Sequence, residues 1–260
     1  MRPLWTGAIG FGLVNIPVKL FSATESSTLD LEMLDKKDQS NIRFKRVNEN
    51  TGKEVKWEDI VKGYKLDSKY VILEDKDFER ANAVKNKLIE ITEFVDASEI
   101  NTAYYENPYY LAPEKSGIRP YALLREALIK TNKVGISTFV LRNKEALAVL
   151  RGQDDVIILN RIRFSQEIRS TEELDLPKKE KIKPAELKMA ISLIEQLSGK
   201  FNIEKYKDTY TDELLKVIKA KAKGVKPKVP QLKIVHSKAS DLMDQLKASL
   251  APATKRKKAS

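Results

Sequence analysis

Apolar and polar positions alternate in short runs as far as about residue 165, broken by glycine, proline, asparagine and aspartate. Such a pattern predicts a chain built mainly of half-buried strands. Ile42 to Val47 and Lys53 to Trp57 flank Asn48-Glu-Asn-Thr-Gly52, which predicts a hairpin with a glycine-containing loop. Lys87 to Val95 is rich in β-branched and aromatic residues and reads as a strand. Val134 to Arg142, Ala146 to Arg151 and Val156 to Phe164 are three more strand-like runs, joined by Asn143-Lys-Glu and Gly152-Gln-Asp-Asp155. Connections this short leave no room for crossover helices, so the three form an antiparallel meander. One helical pattern interrupts the series: Pro120 in a first turn, then Tyr121, Leu124, Ala127 and Leu128. The fold class is mixed and β-rich, and a strand-rich domain with edges to hide predicts a barrel.

After Leu174-Asp-Leu-Pro177 the period changes. Pro184 opens a helix with Leu187, Ala190, Ile191, Ile194 and Leu197 in one stripe, and Gly199 stands where a C-cap would end it. A second helix is expected from an N-cap at Thr211, through Leu214, Leu215 and Ile218, to Gly224. Two helices bury too little by themselves and must pack on the barrel, on a second copy or on another protein. Beyond Gly224 there is no aromatic residue, Pro227, Pro230 and Pro252 interrupt, and lysine recurs, which predicts a flexible basic tail. Within it Ser240 to Leu250 reads as a short amphipathic helix with Leu242, Met243, Leu246 and Leu250 on one side, a candidate recognition element. The expected organisation is a core over 1–177, a helical arm over 178–224 and a tail over 225–260.

Charge sharpens this division. The net charge of +11 is not spread evenly: from residue 221 onward eleven Lys or Arg stand against two acidic residues, so +9 lies there and residues 1–220 carry +2. A nearly neutral core that binds a polyanion must segregate its charges onto one surface, since a weak net field is screened beyond about 8 Å. No run approaches the ~20 apolar residues that span a bilayer, and the apolar start is broken by Gly7, Gly10, Gly12, Asn15 and Pro17, unlike a secretory signal. The expectation is a cytoplasmic, nucleoid-associated protein.

Catalytic constellations are scarce. With no cysteine there is neither a disulfide framework nor a thiolate metal site, and His236 is the only histidine and lies in the expected tail, which excludes a Ser-His-Asp triad or a multi-histidine metal site. Gly7, Gly10 and Gly12 fit neither a dinucleotide fingerprint nor a P-loop and read as glycines that relieve crowding in a barrel strand or bulge. No catalytic residue, metal or cofactor is expected. A weak lyase activity through lysine, by Schiff-base formation with an abasic aldehyde, is the one enzymatic alternative.

Basic residues carry the binding signal. Arg43, Lys45 and Arg46 interleave with Ile42, Phe44 and Val47 on the expected hairpin, with Lys53 and Lys56 on its partner, so the finger could lay charges along a phosphate backbone. Arg142, Arg151, Arg161 and Arg163 end or extend the meander strands and are expected to collect at one barrel rim, or to pair with nearby carboxylates. Lys255, Arg256, Lys257 and Lys258 add a basic terminus. Tyr104, Tyr105, Tyr109 and Tyr110 read as packing rather than a stacking platform, so backbone binding without sequence preference is expected.

Met1-Arg-Pro-Leu-Trp-Thr-Gly-Ala-Ile-Gly-Phe-Gly-Leu-Val-Asn-Ile-Pro-Val-Lys-Leu-Phe-Ser-Ala-Thr-Glu25, Val61-Lys-Gly-Tyr64, Tyr70-Val-Ile-Leu73, Tyr109-Tyr-Leu-Ala-Pro113, Tyr121-Ala-Leu-Leu-Arg-Glu-Ala-Leu128 and Val140-Leu-Arg142 resemble, in order, the motifs of the bacterial Ku family. The resemblance implies a Ku-type β-barrel with an arching bridge, for which 42–57 is the candidate. It also implies a homodimeric ring around double-stranded DNA ends, acting in non-homologous end joining without catalysis of its own. It further implies that the segment after the core recruits the ATP-dependent DNA ligase of bacterial end joining, with Leu187, Ile191, Ile194, Leu242 and Leu246 as partner-binding candidates for dimerisation or recruitment. Relatives often carry cysteines near 40–60, which this chain lacks, and Lys65 stands where many have an acid. The alternative from the residues alone is a general nucleoid or RNA-binding protein driven by its tail.

Overall fold

The computed structural model describes residues 1–82, 87–142, 144–177 and 181–225, together with Leu246 and Ser249. The chain divides into two units, Met1–Ser26 with Asp30–Thr171, and Ser27–Leu29 with Glu172 onward.

The first unit opens on a hairpin of β1 (Trp5–Phe11) and β2 (Val14–Ser22), turned at Gly12, whose φ of +58° suits a residue without a Cβ. After a long excursion that holds β3 (Lys62–Leu66), β4 (Lys69–Leu73) and α1 (Asp75–Asn82), the chain returns as β5 (Leu88–Asp96) and β6 (Tyr105–Pro113). Then come α2 (Ile118–Thr131), β7 (Lys133–Leu141), β8 (Lys144–Gln153) and β9 (Val156–Ile162). Seven strands close a barrel in the order β1-β2-β6-β9-β8-β7-β5. Neighbours are antiparallel except where β5 pairs with β1 in parallel, from Ala8↔Leu88 to Gly10↔Glu90, and shuts the ring. The β7–β8–β9 meander and the barrel expected from the sequence are both present.

Strand alternation fills the interior. Ile16, Val18 and Leu20 of β2, Leu111 of β6, Phe139 of β7, Ala148 and Leu150 of β8, and Ile157 and Leu159 of β9 are fully buried in one cluster. Large residues stand opposite small ones: Phe139 pairs with Ala146, so its ring has room to meet Trp5 edge-on at 6.2 Å. Residues of the other parity, Val149 and Ile162 with Val134, make a second cluster on the outer face, joined by Tyr104, Tyr105 and Leu147.

One end of the barrel is plugged by α2, whose Tyr121, Leu124 and Leu128 join the interior cluster, each burial contributing about 2 kcal/mol. Close approach is set by glycine: a Cβ on Gly152 would lie 2.6 Å from the Arg125 carbonyl oxygen, and one on Gly117 2.8 Å from that of Pro17. The Tyr121 hydroxyl donates to the Leu111 carbonyl at 2.6 Å and accepts from the Ile157 N–H at 2.7 Å. Leu111 and Ile157 are partners across the β6–β9 ladder, so the hydroxyl is inserted into the end of the sheet.

Three local expectations are corrected. Residues 42–57 form no strands: one bridge, Val47↔Glu54, closes the turn, and Trp57–Asp59 is a single 3-10 turn. The regular ribbon of the excursion is instead β3–β4, paired from Lys62↔Leu73 to Leu66↔Lys69. In the second unit α3 (Pro184–Leu197) ends on an extended Ser198 whose hydroxyl donates to the Ile194 carbonyl, so Gly199 is not a left-handed cap. The following helix, α4 (Thr209–Ala222), is capped by Asp208, which accepts from the Thr211 N–H, and Thr211 therefore lies inside the first turn. Gly224, with φ +71°, does end α4. No described helix is long and apolar enough to cross a membrane.

Candidate nucleic-acid interface

The turn at 48–52 is held by the Asn48 side chain, which accepts from the N–H groups of Asn50 and Thr51, and by the Asn48 N–H donating to the Lys53 carbonyl. Only one bridge follows, and after an extended Lys56 the chain enters the 3-10 turn at Trp57. The five basic candidates on this finger are not equivalent. Lys45 is paired with Glu54 at 2.7 Å, a hydrogen bond that raises its pKa, and Lys56 lies 3.7 Å from Glu58. The Arg46 guanidinium stacks over Trp57 at 4.6 Å from the ring centroid. Arg43 and Lys53 have no carboxylate within ion-pair distance among the described residues. Arg43, Arg46 and Lys53 thus keep uncompensated charge on an exposed loop.

The meander arginines do not share one rim. Arg142 lies in the β7–β8 turn and Arg161 at the penultimate position of β9, at the end of the barrel away from α2. Arg151 pairs with Ile158 near the opposite end of β8, because hairpin register sends successive strand termini to alternate ends. Arg163 follows β9 and shares a carboxylate with Arg161: Glu106 accepts from Arg161 Nε at 2.8 Å and Arg163 Nη2 at 3.1 Å. A bulge makes this possible, since β6 places Glu106 and Asn107 opposite the single residue Arg161. The expected alternative, pairing with carboxylates, holds for these two arginines.

That open end is a cavity of about 710 Å³. Inward positions that are apolar deeper in the barrel become polar here: Ser22 follows Leu20, Asn107 precedes Tyr109 and Leu111, Lys144 precedes Ala146, and Arg161 follows Leu159. Sequence reading passed over Ser22, Asn107, Lys144 and Glu106, although the alternation that marks the first three is visible once strand register is known.

Leu187, Ile191 and Ile194 lie along one side of α3 and are 49, 46 and 65% exposed, an apolar stripe without cover in its own unit. Leu246 is helical and half-buried, whereas Leu242 and Lys255 to Lys258 lie outside the described residues. Tyr109 is buried in the interior cluster and Tyr104 and Tyr105 pack in the outer one, as expected of packing tyrosines. Among the described residues no group of His, Asp or Glu could hold a metal ion.

A closed barrel plugged by one helix, with a long excursion bearing a basic finger and an apolar ribbon, defines the class: the chain belongs to the Ku family, and residues 10–189 match the Ku70/Ku80 beta-barrel domain. It is 39% identical to the Non-homologous end joining protein Ku of Coxiella burnetii, over 99% of this chain and 97% of that one. It is also 37% identical to the protein of the same name from Bacillus subtilis, over 96% and 82%, and 39% identical to Protein Ku of Mycobacterium phage Omega, over 97% and 87%.

Proposed function

We propose that this protein is a homodimeric, sequence-independent clamp for double-stranded DNA ends that acts in non-homologous end joining and recruits the ATP-dependent DNA ligase, with no catalysis of its own. The carrying observation is the near full-length similarity to proteins named for end joining, on a chain whose first 220 residues carry only +2. A ring reconciles the two, because only the charges that face its channel need to be basic, and a closed ring loads only at a terminus. On this reading Arg43, Arg46 and Lys53 contact backbone phosphates, with Lys45, Lys56, Arg142, Arg151, Arg161, Arg163 and Lys255 to Lys258 as further candidates.

Homodimerisation is supported by the excursion. Phe44, Trp57, Tyr64 and Tyr70 are 79, 73, 64 and 71% exposed, and a two-stranded ribbon such as β3–β4 is marginal in water alone. A second copy laid against this segment would bury that surface. Ligase recruitment is assigned to the Leu187, Ile191 and Ile194 stripe and to the Leu242 and Leu246 segment.

The test is a gel-shift competition: a short labelled blunt duplex challenged by equal masses of linear and covalently closed circular DNA. Competition by the linear form alone supports a clamp that requires an end. Equal competition rejects it in favour of general phosphate binding through the tail.

A further inference from the structure

We propose that the open mouth of the barrel is a binding site for a phosphate monoester or short polyphosphate. Apart from Ser137, whose hydroxyl donates to the Ala148 carbonyl, the inward strand positions are apolar above the α2 plug, and the last layer changes character on four strands at once. Ser22 on β2, Asn107 on β6, Lys144 on β8 and Arg161 on β9 occupy inward positions, and none of the four is acidic. Glu145 and Glu167 also line the cavity; Glu167 is engaged by the Phe164 N–H at 2.8 Å, and Glu106 orients Arg161 from the bulge, so three cations face two lining carboxylates. Arg142 adds a third cation to Lys144 and Arg161. It holds φ +52° in a two-residue turn where asparagine or glycine is the low-strain choice, so conformation does not account for an arginine there. Arg142 and Lys144 have no ion-pair partner among the described residues, and both line the cavity with Arg161.

Size and chemistry select the ligand. A recess of about 710 Å³ is in the range of small-molecule sites, too small for a duplex and ample for a nucleotide. One guanidinium held in orientation by a carboxylate, a second guanidinium and an ammonium, with the Asn107 amide beside them, match the several acceptor oxygens of a phosphate dianion. The phosphate could be carried by a DNA strand terminus or by a soluble ester, and the two sources are separable.

The experiment is calorimetric titration of the full chain at constant ionic strength with inorganic pyrophosphate, with a thymidine dinucleotide bearing a 5′-phosphate, and with the same dinucleotide lacking it. All are too short to thread a ring, so the outcome is independent of the clamp reading. The double variant R142Q/K144Q, both sites exposed, is compared with K65Q/K69Q on the β3–β4 ribbon, which removes the same charge elsewhere. Affinity for pyrophosphate or the phosphorylated dinucleotide is expected to fall at least about tenfold in R142Q/K144Q and less than about twofold in the control. Preference for the phosphorylated over the unphosphorylated dinucleotide identifies a strand terminus as the source, and binding of pyrophosphate alone identifies a soluble ester. Equal loss in the two variants, or no binding by the wild type, overturns the proposal.

Discussion

Replacing Tyr121 by phenylalanine removes one oxygen from the junction between the α2 plug and the sheet. The ring, buried with 5% of its surface exposed, keeps its packing against Leu111 and Leu124, so the perturbation is confined to hydrogen bonding. Two backbone groups lose their partner: the Leu111 carbonyl, now bonded at 2.6 Å, and the Ile157 N–H, now bonded at 2.7 Å. Leu111 and Ile157 are themselves fully buried, so water cannot replace the hydroxyl without opening the barrel. Each orphaned buried group costs about 1 to 3 kcal/mol, and partial closure of the ladder across the gap places the sum near 3 kcal/mol. With a urea slope of about 2 kcal/mol per molar, the midpoint falls by roughly 1.5 M at neutral pH, with the slope unchanged. The pH dependence gives an independent reading. Burial raises the phenol pKa of Tyr121 above its usual value, against the smaller opposing effects of the Ile157 N–H and Arg125. Above about pH 10 the unfolded chain therefore releases this proton while the folded chain retains it, and stability falls as pH rises. Phenylalanine has no such proton, so the gap between wild type and variant is full below pH 10 and narrows above it. A midpoint shift equivalent to less than about 0.5 kcal/mol, or a gap that does not narrow in alkali, refutes the assignment of the hydroxyl to the ladder.

Gly152→Ala is expected to destabilise the first unit by about 1 to 3 kcal/mol in the same assay, because its Cβ meets the Arg125 backbone oxygen at 2.6 Å and backbone cannot be moved cheaply. R43E and R46E should each lower the slope of log affinity against log salt by about one unit for duplex DNA of any sequence, whereas K45E, already compensated by Glu54, should lower it less. Binding curves at four salt concentrations decide this. Polar substitution of Leu187, Ile191 and Ile194 together should leave duplex affinity within about twofold while reducing ligase capture or dimer mass by light scattering; retention of both removes the stripe from any interface.

The meander was legible because its connections are short, and α2 because Tyr121, Leu124 and Leu128 recur on one helical face toward the core. Barrel closure was legible only as a class. The β1–β5 pairing joins Ala8 to Leu88 across the whole excursion, and no local pattern specifies such a distant partner. Residues 42–57 misled because their alternation is the strand signal, yet Ile42, Phe44 and Val47 are all exposed, so there is no apolar face of its own unit to hold a register. The rim arginines were individually visible, but their division between two ends required the pairing of Arg151 with Ile158. The mouth was missed for the same reason: Ser22, Asn107, Lys144 and Arg161 converge only when four strands are placed side by side.

The parallel closure has a mechanical meaning. The excursion leaves from Ser22 at the open mouth and returns at Leu88 beside Ala8, so both of its roots are stitched to the barrel by hydrogen bonds that do not pass through the loop itself. The segment before it is held by β2–β6 and β1–β5, and the segment after it contains the other five barrel strands. Covalent continuity through the exposed bend at 35–40 is therefore redundant for holding the barrel together. A protease cut there leaves two fragments that remain one particle, and the same two pieces made separately are natural halves for reconstitution, with the finger and the ribbon anchored on the larger one.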